Sequence, residues 1–157
     1  MLTDGYAAFY DGDEAKTWTV LPAATVAFYA NYDGADPATS TQAVKKEVET
    51  ALNANKFTAP QSDGVFVGWN TQANGLGTAY ADGASVTLTN DIALYAQWTT
   101  MPTGLTANCG QTLANVQLPD KWAWVDSTAS VGNVGTNAFP ATFIDGSNRV
   151  TLACPLR

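Results

Sequence analysis

Carboxylates, cysteines and tryptophans are the side chains of this sequence with the types to do chemistry, and their spacing argues against most of it. The chain carries fourteen acidic and seven basic residues and no histidine. Imidazole-based metal sites, Ser-His-Asp triads and Cys-His dyads are therefore excluded. Acidic pairs such as Asp11 and Asp13, or Asp33 and Asp36, stand in turn-rich segments, where Asp bonds its own backbone. A glycosidase needs two carboxyls held about 5–10 Å apart across a cleft, and no pattern here builds one. Asp11-Gly12-Asp13-Glu14 has the opening of a calcium loop but lacks the remaining spaced ligands and the closing Glu, so it reads as a solvated turn. No catalytic residue, cofactor or metal site is expected. Cys109 and Cys154 lie 45 residues apart without CxxC spacing, which leaves one disulfide and two separate thiols equally open.

Five tryptophans are many for 157 residues. Trp98 shares a strand face with Ile92, Leu94 and Ala96, and Trp69 ends an apolar run, so both are assigned to a core. Trp122 and Trp124 form a Trp-x-Trp pair in a small segment. Core packing is the first reading for them, and they are also the candidate ligand-binding residues, because exposed aromatics mark recognition surfaces. A net charge of −7 and a pI near 4.2, with Lys45-Lys46 the only adjacent basic pair, make nucleic acid and anionic membrane surfaces poor partners. Lys45, Lys46, Glu47 and Glu49 read as a solvated edge that discourages strand addition, with a partner-binding patch as the alternative. No run of about 18 apolar residues is available to span a membrane. Met1-Leu2-Thr3-Asp4-Gly5 lacks the basic and apolar regions of a signal peptide, which taken literally would mean a cytoplasmic chain.

Gly, Pro, Thr and Asn punctuate short apolar stretches throughout, the usage of a mainly β protein. Tyr6–Tyr10 and Lys16–Val20 flank Asp11-Gly12, a hairpin signal, with Leu21-Pro22 predicted to end the second stretch. From residue 25 Val26, Phe28 and Ala30 alternate with Ala27 and Tyr29. Between Thr41 and Asn55, Val44, Val48, Ala51 and Leu52 recur at helical spacing behind a Ser40 or Thr41 cap, so local propensity favours a helix. Strands are predicted at Val65–Trp69, with Gly68 allowing a bulge, then at Ser85–Thr89 and Ile92–Trp98. One apolar and one polar face point to an antiparallel sheet. Met101-Pro102-Thr103-Gly104 reads as a linker, after which Leu113, Val116 and Leu118, then Trp122 and Trp124, then Phe139, Ala141 and Phe143 open a second unit. Pro140 predicts that the last run is an edge strand.

Four ordered blocks resemble one copy of the Listeria–Bacteroides repeat, a module of bacterial cell-surface proteins. They are Val26-Ala27-Phe28-Tyr29-Ala30-Asn31, Phe66-Val67-Gly68-Trp69-Asn70-Thr71, Gly75-Leu76-Gly77-Thr78-Ala79-Tyr80 and Val86 through Thr99. The resemblance covers residues 25–99 and implies a small β-grasp-like module without catalytic residues. It also implies extended structure over 42–57, against the helical propensity, with a turn at Glu47 where the family usually has glycine. Residues 104–143 resemble a second small repeat of Gram-positive surface proteins, through Gly110-Gln111-Thr112-Leu113, Trp122-Ala123-Trp124-Val125-Asp126 and Phe139-Pro140-Ala141-Thr142-Phe143. After Phe143 the sequence departs from that pattern, so this unit is read as truncated or altered.

The expectation is a mainly β chain: an N-terminal strand pair or end of a preceding module over 1–24, a β-grasp-like repeat over 25–99, and a second small β-rich module over 103–157. The resemblance implies a non-enzymatic segment of an extracellular, surface-attached or secreted bacterial protein. Its role would be spacer and adhesion module, with flanking domains of a longer chain and a host or neighbouring-cell protein or glycan as partners. A carbohydrate-binding module using its tryptophans is the alternative.

Overall fold

The computed structural model describes residues 5–10, 18–145 and 148–157. The predicted turn and calcium-loop reading at 11–14 lie outside the described residues. The chain is mainly β, as the sequence predicts. Eleven strands are present among the described residues: β1 (Tyr6–Tyr10), β2 (Trp18–Tyr29), β3 (Thr39–Lys45), β4 (Thr50–Ala51), β5 (Gly64–Asn70), β6 (Ala79–Tyr80), β7 (Ser85–Val86), β8 (Ile92–Thr100), β9 (Trp122–Trp124), β10 (Asn137–Asp145) and β11 (Asn148–Leu156). One 3-10 turn covers Leu113–Asn115. Two compact units divide these residues, Met1–Thr58 with Trp69–Gln97, and Ala59–Gly68 with Trp98–Arg157.

In the first unit β2 is the organising strand. Residues 18–22 pair with β1 and residues 23–29 pair with β3, both antiparallel. Val26, Ala27, Phe28 and Tyr29 pair in parallel with Ile92, Ala93, Leu94 and Tyr95 of β8. Two predictions change here. Leu21-Pro22 does not end the strand: the Pro22 carbonyl accepts the Lys46 N–H at 3.0 Å, while the Ala23 N–H on the opposite edge donates to Gly5. The missing proline donor thus falls on the edge toward the end of β3, where a ladder bond is dispensable. The sheet is also mixed instead of antiparallel, since alternation along a strand does not encode the direction of its neighbour. Val26, Phe28, Leu94 and Ala96 from the paired strands are buried, together with Val44, Leu52, Phe57, Trp69, Val86 and Leu88.

No helix forms over 41–55. β3 runs to Lys45, Glu47 turns with φ at +60°, and β4 follows. Tertiary burial of Val44 and Leu52 overrides helical propensity. A left-handed conformation costs a non-glycine residue about 1–2 kcal/mol, against about 0.5–1 kcal/mol of extra chain entropy that a glycine loses on folding. Glu47→Gly is therefore expected to raise stability by about 0.5–1 kcal/mol, read as a higher denaturant midpoint at unchanged slope.

The second unit centres on β10, which lies between β11 and β9. Pro140 therefore does not mark an edge strand. Its carbonyl accepts from Val125 at 3.0 Å, one residue beyond the end of β9, so its missing N–H faces the point where the neighbour leaves the sheet. Val67, Trp122, Ala141, Phe143 and Cys154 form one apolar cluster of this unit, and Leu113, Val116, Val131 and Leu156 form another.

Candidate functional site

The β1–β2 ribbon presents the most conspicuous apolar surface of the first unit. Register places Tyr6 opposite Pro22, Ala8 opposite Val20 and Tyr10 opposite Trp18. Side chains at directly paired positions and at every second residue share a face, so these six form one surface, and all six are exposed. Trp18 is 64% exposed, and its ring lies 5.6 Å from that of Tyr10 at 45°. The opposite face carries Ala7, Phe9, Thr19 and Leu21, all half-buried. There the Lys45 ammonium sits 5.2 Å from the centre of the Phe9 ring. One member of the predicted Lys-Glu run is thereby held over an aromatic face.

The tryptophans proposed from sequence as ligand-binding residues lie in the second unit. Trp122 is 8% exposed and packs 5.4 Å from Phe143. Trp124 is half-buried beside Phe139, and its indole N–H donates to the Val116 carbonyl at 2.9 Å. Trp122 is thus buried against its neighbours, and Trp124 is held by its own hydrogen bond. The open tryptophan is Trp18, which sequence reasoning passed over. Its signal was the alternation Tyr6, Ala8, Tyr10 against Trp18, Val20, Pro22, but Ala7, Phe9 and Leu21 make the other face apolar too.

Three exposed carboxylates, Asp82, Asp91 and Asp126, accept backbone N–H groups, and Asp145 pairs with the Lys121 ammonium at 3.0 Å. Asp82 accepts from the Asn55 N–H and Asp91 from the Thr25 N–H, each at 2.8 Å. Asp126 accepts from the Thr128 hydroxyl and N–H, and these bonds hold its carboxyl below the usual range. Among the described residues no three His, Cys, Asp or Glu side chains gather as a metal site would require. Among the described residues no helix is long and apolar enough to cross a membrane.

Both cysteines are free thiols. Cys109 is exposed at a shallow cleft lined by Ala107, Val131, Val134, Asn137 and Arg157. Cys154 is buried in the Trp122 cluster, and burial pushes its thiol up. A thiolate is the reactive form. Under native conditions a thiol reagent is expected to modify one cysteine rapidly, Cys109, with Cys154 reacting only on unfolding; peptide mapping after a short pulse reads this directly.

Two small β units, without an α-helix among the described residues, place this chain in the class of β-rich modular proteins. Residues 25–97 match the Listeria-Bacteroides repeat domain. The family occurs in surface or secreted bacterial proteins. No curated protein and no solved structure matches the chain.

Proposed function

We propose that this chain is a non-enzymatic spacer and protein-interaction segment of a surface-attached or secreted bacterial protein. The observation that carries the reading is the pairing of a repeat of this family with the exposed Tyr6, Tyr10, Trp18 and Val20 face of the adjoining ribbon. Folded β units between flanking domains set distance between them, and an apolar face this open suits contact with a host or neighbouring-cell protein. The backbone duties of Asp82, Asp91 and Asp126 favour the non-enzymatic reading. The acidic balance disfavours nucleic acid and anionic membrane as partners. A second reading, glycan binding, is favoured by the Tyr10–Trp18 pair and moves from Trp122 and Trp124 to these rings.

Two measurements test the proposal. With the chain tethered to a bead at its C-terminus, a tag ahead of residue 1 should reach a bulky antibody better than the same tag attached without the chain. Equal access would remove the spacer role. On a glycan array and a panel of purified host-surface proteins, Trp18→Ala should weaken any specific binding by tenfold or more. Its stability should stay within about 0.5 kcal/mol, because the ring is exposed. Binding only to glycans selects the second reading, and binding unaffected by the substitution would take the ribbon face out of the interaction.

A further inference from the structure

The direction of the β2–β8 pairing has a mechanical consequence. Force pulling on the two ends of the repeat reaches β2 from its N-terminal side and leaves β8 at its C-terminal side. Because the two strands are parallel neighbours, these forces act in opposite senses along adjacent strands. The ladder is then loaded in shear, with its hydrogen bonds sharing the strain together. An antiparallel hairpin pulled at its open end instead peels one pair at a time. We infer that the β2–β8 pair is a load-bearing clamp, which lets the repeat hold its fold while the chain is under tension.

Three features around the pair fit this role. The Thr25 N–H bonds the Asp91 carboxylate at 2.8 Å, adding a lateral tie just ahead of the first paired residues, Val26 and Ile92. One face of the ladder is closed by buried Val26, Phe28 and Leu94. On the other face the paired Tyr29 and Tyr95 rings stack at 4.9 Å and 17°. Burial of one face and partial cover of the other by the half-buried tyrosines slow the exchange of a strained backbone bond for a bond to solvent. The second unit repeats the arrangement in reduced form. Leu105 bridges Leu156 in parallel, and Arg157 exchanges backbone bonds of 3.0 and 2.9 Å with Leu105 and Ala107. Its entering and leaving segments are thus also in shear, over a shorter contact.

The inference rests on the spacer reading for its biological sense, and its test is independent of that reading. The full chain is stretched between its two termini in a single-molecule force experiment, and again between the N-terminus and a handle at Glu49. The second geometry peels β3 from β2 at its open end. End-to-end pulling should give a weaker opening of the second unit, then a main peak releasing about 240 Å, the extended length of the chain between Val26 and Tyr95. That peak should lie several-fold above the peeling force. Asp91→Ala should lower it and leave peeling unchanged, whereas Asp91→Asn keeps an acceptor oxygen and restores it. Similar forces in both geometries, or a main peak unmoved by Asp91→Ala, would overturn the clamp. A low force leaves the tethered-antibody result standing, and failure of that result leaves a measured clamp intact.

Discussion

Trp69→Ala is expected to destabilise the first unit by about 3–5 kcal/mol, the loss seen when a large aromatic is removed from a packed core. Trp69 is 1% exposed, with Phe28 at 4.8 Å and Phe57 at 6.0 Å between ring centres. Burying an indole of about 200 Å² at about 25 cal/mol per Å² is worth about 5 kcal/mol before chain entropy is counted. The ring contacts, tilted to Phe28 and edge-on to Phe57, fall within the geometries aromatic pairs favour. The loss is large against the 5–15 kcal/mol typical of a whole domain, so β2 and β8 amides should lose most of their hydrogen-exchange protection. Trp69→Phe should retain part of it, since a smaller ring keeps some contact with Phe28. A loss below 1 kcal/mol for Trp69→Ala, read from exchange at Val26 and Leu94, would mean that the three rings do not form the packing centre of this unit.

How far the sequence foretold this fold depends on how local each signal is. Alternation placed Val26, Phe28, Leu94 and Ala96 inside, because burial on one face is written into every second residue of a strand. It could not give the direction in which β2 and β8 pair, since parallel and antiparallel partners share the same period of two and these strands lie more than sixty residues apart. The rule that parallel strands are covered on both faces is met here in part by the Tyr29–Tyr95 stack, and tyrosines alternating with alanines read equally well as a wet face. Helical spacing over 41–55 failed for a different reason. Val44 and Leu52 satisfy a core that lies outside the segment, and a left-handed Glu47 supplies the turn. Pro140 misled because the edge rule concerns one missing donor, and a central strand can carry proline where its neighbour has already ended. The aromatic content of the ribbon was legible and its exposure was not: with apolar residues on both faces, only the surrounding strands decide which face is covered.

Asn70→Ala is expected to cost about 2–4 kcal/mol although it removes only a small polar group. Asn70 is 3% exposed and organises the connection from β5 to β6 through four hydrogen bonds. Its Oδ1 accepts from the Gln72 and Gly77 N–H groups, both at 2.9 Å. Its Nδ2 donates to the Gly75 and Gly77 carbonyls at 3.0 and 3.3 Å. Alanine would leave these part-buried backbone groups without their partner; a fully buried group so left costs about 1–3 kcal/mol, and the cost here is partly relieved by solvent and by relaxation of the loop. Close approach is what makes glycine necessary at position 77: a Cβ there would overlap the Thr71 hydroxyl oxygen and fall 2.8 Å from Asn70 Oδ1. Gly77→Ala should therefore reproduce much of the Asn70→Ala loss, and the double substitution should cost clearly less than the sum, because both break one network. Asn70→Asp separates the two halves of that network. The substituted carboxylate still accepts from Gln72 and Gly77 but meets the Gly75 and Gly77 carbonyls without a proton to give. That repulsion and the burial favour its neutral form, so its folded-state pKa should rise above the unfolded value. A group shifted in that direction contributes stability at low pH that is lost as pH rises through the folded pKa. The difference between Asn70→Asp and the parent chain should thus shrink on acidification, and a pH-independent difference in denaturant midpoints would show that the donor half of the Asn70 network is dispensable.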